Sequence, residues 1–190
     1  MRSILSTLAF FICTIAAMAQ DDVFSNKTNL ALEKVVKDFP NRFHNIKGDV
    51  IVQHAQTVEY KSTIQVPGAY SCVVTKHSVS NTDTYSWGCT AFISRDFNSA
   101  KNKYKEIFEQ IANTIIKVEG QKPFIISGQY RTPIESRKST VIVFELLPAV
   151  GEMKKIKIEL DLQYVTSEWK VILNVYDSDH KEDQATASNN

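Results

Sequence analysis

Few groups in this chain have the type and spacing to do chemistry, and the cysteines are the first to weigh. Cys13 lies in an apolar leader, which leaves Cys72 and Cys89 as a pair. Such a pair could form a disulfide, supply a thiolate nucleophile or contribute to a metal site. No Cys-x-x-Cys or Cys/His spacing supports a metal, and a lone nucleophile has no need of a second cysteine in register with it. Residues 70–76 and 84–93 have strand character, and Ser78 to Asp83 between them is turn chemistry. A hairpin closing around Ser80-Asn81 sets Cys72 directly opposite Cys89, close enough to bridge. A disulfide is therefore expected, with a gain of about 3 kcal/mol by chain entropy.

The remaining chemistry is sparse. The chain has no Gly-x-Ser-x-Gly elbow, Gly-rich phosphate loop, His-Glu-x-x-His or EF-hand loop. Its histidines are His44, His54, His77 and His180. His54 and His77 fall on strand segments that a sheet could bring together, but surface or hydrogen-bonded histidines account for all four, and neither a metal nor a cofactor is expected. Asp49, Glu59 and Glu145 are the carboxylates that a glycosidase-like pair would draw on. Glu145 interrupts the apolar run 141–147 and is expected at an outward position of that strand.

Aromatic residues offer more. Tyr85 and Trp87 share a strand face with Cys89, and Tyr70 shares that of Cys72 across the hairpin. Tyr130-Arg131 precede a turn at Pro133. On an open face, Tyr70, Tyr85, Trp87 and Arg131 would form a binding platform for a peptide, a partner protein or a sugar ring. On a face covered by helices, the same rings would be core packing around a disulfide. Asn26-Lys27-Thr28 matches a glycosylation sequon, which matters only in a eukaryotic secretory route.

The elements that must position these groups follow from periodicity. Leu32, Val35, Val36 and Phe39 form one apolar stripe of a helix capped by Asn29, with Pro40 as a kink or the start of a second short helix and Gly48 as a stop. Strands are expected at 49–55, 58–66, 69–77 and 84–93. A second helix is expected over 96–115, its stripe running from Phe97 through Ala100, Tyr104, Ile107, Phe108 and Ile111 to Ile115. Strands then follow at 124–130, 140–147, 154–165 and 169–176, with Thr166-Ser167 as the last turn. Strict alternation in 154–165 predicts one buried and one wet face. Displacing the chain by 72 residues superposes the two helix stripes and sets Gly48 on Gly120, which suggests a helix-then-strands duplication. The expected fold is α+β, a two-layer sandwich of an antiparallel sheet with helices on one face.

The first nineteen residues have the pattern of a cleavable signal peptide. Arg2 supplies the positive start, residues 5–17 the apolar stretch, and Ala17-Met18-Ala19 the small residues before the cut. The apolar run is too short to span a bilayer, which takes roughly 20 apolar residues. The expected organisation is a signal peptide at 1–19, a flexible lead-in at 20–28, one domain at 29–177 and a disordered tail at 178–190. The formal charge of +1 includes Arg2, and Lys and acidic residues are interspersed, which argues against nucleic acid and against an acidic membrane surface as partners.

These observations lead to an exported, periplasmic or secreted binding module without catalytic activity, not membrane-spanning after cleavage, with a protein, peptide or glycan ligand. The alternative is a small extracytoplasmic hydrolase whose site follows no sequence motif. In layout alone the chain is similar to small periplasmic modules of the PepSY or β-lactamase-inhibitor-protein type, although it carries no motif of either.

Overall fold

Segments of period two dominate the described residues, and they pair into a single antiparallel sheet accompanied, among those residues, by two α-helices. The computed structural model describes residues 27–79 and 82–178. The leader, the lead-in through Asn26, the hairpin tip at Ser80-Asn81 and the tail beyond Ser178 lie outside the described residues. Helix α1 (Lys27–Asp38) and a 3₁₀ turn (Phe39–Asn41) lead into β1 (Lys47–Gln53), β2 (Thr57–Ser62), β3 (Ser71–Val79) and β4 (Thr82–Ser94). Helix α2 (Phe97–Ile111) leads into β5 (Ile115–Ile116), β6 (Phe124–Ser127), β7 (Ser139–Leu147), β8 (Ile156–Val165) and β9 (Glu168–Asp177). The nine strands among the described residues are ordered β1-β2-β3-β4-β9-β8-β7-β6-β5.

Local chemistry explains the boundaries. Helix α1 starts two residues inside the expected lead-in and buries Leu32, Val35 and Val36 completely. Pro40 sits in the first turn of the 3₁₀ segment, where its missing N–H costs nothing. Arg42 and Phe43 then adopt positive φ, so the chain turns back and Phe43 enters the core against Phe39, ring centroids 6.0 Å apart. The buried Asp38 carboxylate holds this reversal by accepting from the Asn45 backbone N–H at 3.0 Å and from the Asn41 and Asn45 amides.

Helix α2 is capped by Asp96, whose Oδ1 accepts from the Ser99 N–H at 2.7 Å. It stops at Ile111, one turn short of the expected end. Asn113 takes a positive φ and donates its N–H to the Ile126 carbonyl, while the Ile126 N–H donates to the Thr114 carbonyl. Pairing with β6 therefore overrides helical continuation, and Ile115 stands in β5, 57% exposed. At the β8–β9 turn both Thr166 and Ser167 have positive φ, the backbone of a two-residue hairpin that matches strand twist.

The sheet has two unlike faces. Cross-strand register aligns Cys72 with Cys89, Val74 with Trp87, Cys89 with Leu173, Leu160 with Leu173, and Ile142 with Leu160. All of these are buried and share one apolar cluster with the stripes of α1 and α2. Of the intervening residues, Thr75, Ser86, Asn174, Asp161 and Val143 are half-buried or exposed, while Glu159 and Tyr176 are buried.

Candidate functional site

The four residues of the expected platform do not come together. Trp87 is fully buried, and its indole N–H donates to the Ser62 Oγ at 3.0 Å. Its cross-strand partners Val74 and Val175 fix the reason: period-two alternation puts this row on the helix side. Tyr85 lies on the same side, half-buried, with its ring 5.6 Å from the His44 ring. Of the two placements open to the Trp87 face, the core one is observed, and Trp87 has no surface to offer a ligand. Tyr70 is 64% exposed at the entry to β3, where its N–H donates to the Thr90 carbonyl. Arg131 is exposed in the loop after β6.

Cys72 and Cys89 stand directly opposite each other at disulfide distance, Cα atoms 4.0 Å apart, and both are buried. Their thiols face the core.

The other side of the sheet carries the polar chemistry. One row runs Lys61, Val73, Gly88, Asn174, Glu159 and Val143 across six strands. The next runs Glu59, Thr75, Ser86, Tyr176 and Lys157 across five. Tyr176 and Glu159 tie the rows together: the phenol donates to the carboxylate at 2.8 Å, and both side chains are buried. Gly88 makes room for the Asn174 amide, whose oxygen an added Cβ would approach to 3.1 Å. Ser86 Oγ lies 3.5 Å from His77 Nε2, a long contact. His54 is exposed in the β1–β2 turn, three residues before Thr57, the register partner of His77.

Glu145 points outward as expected and pairs with Lys157 at 3.1 Å. Toward β6, a groove of about 370 Å³ opens between β7 and the loop after β6, lined by Ser127, Gln129, Arg131, Val141, Val143 and Glu145 among others. At the β3–β4 hairpin, hydrogen bonds from Lys76 and Ser78 hold the Asp83 carboxyl below its usual range, and Asp83 in turn raises Lys76. Among the described residues no group of three or more His, Cys, Asp or Glu side chains is placed to hold a metal ion, and no helix is long and apolar enough to cross a membrane.

Sequence reasoning missed Glu159, Tyr176 and Asn174 as a set. Its signal was present in part, because the alternation of 154–165 already turned Glu159 to the wet face. No protein-family model, curated protein or solved structure matches the chain, so the resemblance in layout has no counterpart there.

Proposed function

We propose that this chain is an exported, non-enzymatic binding module, periplasmic or secreted, which takes its ligand on the sheet face turned away from the helices. The observation that carries the reading is the pair of polar rows across that face, whose half-buried members Thr75, Ser86, Asn174 and Lys157 surround the buried Tyr176–Glu159 hydrogen bond on interior strands. Preorganised groups on strands bind with less ordering cost than groups on loops. A protein, peptide or glycan offers the hydrogen-bonding groups and apolar surface that such a face matches. Tyr70 and Arg131 remain available at its margins. Export is supported by the leader pattern of residues 1–19 and by a cysteine pair at disulfide distance, since disulfides persist outside the reducing cytosol.

The same reading takes the fold as a two-layer sandwich built by duplication. Each helix is followed by strands that run from a margin of the sheet to its centre, where β4 and β9 meet. The hydrolase alternative draws on Ser86 and His77. Against it stands the position of Ser86 between two paired strands, whose ladders occupy the backbone N–H groups an oxyanion would need.

The test is site-specific photo-crosslinking in the native envelope or secreted fraction. A crosslinker at Lys61 or Val143 should capture a partner, and one at Lys101 on α2 should not. Adducts from Lys101 alone, or from all three positions equally, would sink the assignment of the face.

A further inference from the structure

The sheet has an edge in its interior. Strand β7 pairs with β8 over Ser139 to Phe144, but β6 meets β7 only over Glu145 to Leu147. Over Ser139 to Val143, roughly 17 Å at the rise of a strand, β7 has a ladder partner on one side only. The Tyr164 N–H donates to the Lys138 carbonyl, so alternation sends the backbone groups of Lys138, Thr140, Ile142 and Phe144 toward β8 and those of Ser139, Val141 and Val143 toward the vacant side. No backbone hydrogen bond from the loop 128–138 reaches these three residues.

The cause is visible next to β6. Tyr130 is drawn under α2, its ring 5.0 Å from that of Phe108 and 6.1 Å from that of Tyr104. Gly128 lets the chain bend that way, because a Cβ there would lie 2.4 Å from the Phe144 ring. The backbone that would have continued β6 leaves the plane of the sheet, and the groove opens where it would have run.

We propose that this groove takes the C-terminal end of an extended peptide, added as a strand along the free edge of β7 with its carboxylate on Arg131. The proposal rests on the reading of the chain as a binding module and names the ligand class and the place. Unpaired strand edges are templates for an added strand, with main-chain hydrogen bonds giving affinity. Charge selects the end of the peptide. Arg131 makes no ion pair with any described residue, whereas Glu145, the acid lining the groove, is already paired with Lys157. An added strand must stop where β6 begins to occupy the edge, opposite Glu145, so a chain end belongs there. A carboxylate at that stop requires the peptide to run parallel to β7. Val141 and Val143, the latter 42% exposed, give its side chains apolar contact on the open face.

The experiment selects ligands for the whole mature chain from a display library of random heptapeptides with free C-termini, then maps selected peptides by amide NMR. The expected footprint is Ser139, Val141 and Val143, with new protection of the outward amides against hydrogen exchange. Amidating the peptide C-terminus, or Arg131→Gln, should each weaken binding by roughly tenfold or more. Moving the carboxylate to an internal Asp in an amidated peptide should not restore it. A spin label on the peptide N-terminus should broaden Ser139 and spare Glu145. Insensitivity to amidation, a reversed spin-label pattern, or self-association of the chain through this edge would overturn the proposal. A footprint on Gly88 and Asn174 would overturn it while leaving the sheet-face reading intact, and failure of both selection and open-face crosslinking would sink the two together.

Discussion

Two buried rings with opposite hydrogen-bonding status set the energetics at the residue scale. Trp87 is wholly enclosed and its N–H is satisfied by Ser62, so Trp87→Ala should cost about 3–5 kcal/mol and Ser62→Ala about 1–3 kcal/mol in urea unfolding. Tyr70→Ala, at an exposed site, should stay within about 0.5 kcal/mol. A platform role for Trp87 would have predicted the reverse, lost binding at unchanged stability. Tyr104 is equally enclosed, but its hydroxyl has no hydrogen-bond partner among the described residues. Tyr104→Phe should therefore leave stability unchanged or raise it by about 1 kcal/mol. Burial also pushes the Tyr104 phenol up from its ordinary value. The unfolded chain releases that proton near pH 10 while the folded chain retains it, so the native state loses ground as pH rises above about 10. The Tyr104→Phe variant should show a shallower alkaline loss by thermal melts across that range.

At the scale of elements, the hairpin β3–β4 and the turn of the chain after β6 carry the tests. Thiol titration of the unreduced, denatured chain expressed from residue 20 onward, which lacks Cys13, should find essentially no free thiol, and two would refute the Cys72–Cys89 bridge. Gly128→Ala forces a methyl into the Phe144 ring and should cost about 1–3 kcal/mol, whereas Gly68→Ala meets no atom and is resisted only by its positive φ. The sequence made the ladders legible where alternation was strict: 154–165 gave β8 and its buried side, and the spacing of the two cysteines gave the register of β3 on β4. It misplaced the end of α2, because the apolar period runs on through Ile115 while the competing bonds from Asn113 and Thr114 come from Ile126, a residue distant in sequence. The site was less legible than the fold. Period two shows that Tyr85, Trp87 and Cys89 share a side, but which side the helices cover depends on packing between elements. The free edge of β7 was invisible for the same reason, since it arises from Tyr130 docking under a helix.

For the molecule as a whole, the sheet's outer margins are protected. Strand β5 has only two residues, and β1, whose Val50 and Ile51 are more than half exposed, is broken by register shifts on either side of Val50. Both devices discourage growth of the sheet from its ends, which leaves the interior edge of β7 as the longest unblunted one. The central pair is β4 with β9, and β9 is the last of the described strands in chain order although it lies fifth across the sheet. A chain truncated after Val165 lacks the strand that joins the two halves, and limited proteolysis should digest it throughout rather than leave a resistant N-terminal half.

That placement of β9 has a consequence in time. Residues emerge from the ribosome in order, yet β4 cannot be paired on its second side, nor β8 on its own, until residues 168–177 arrive. Until then Trp87 and Cys89 lack the strand that supplies Val175 and Leu173 beside them, and the helices have no finished layer to rest on. Such a chain delays its commitment to a compact form until nearly all of it is synthesised. On the export proposed above, a polypeptide threaded lengthwise through a narrow translocation channel gains from that delay, because it can pass before its centre closes.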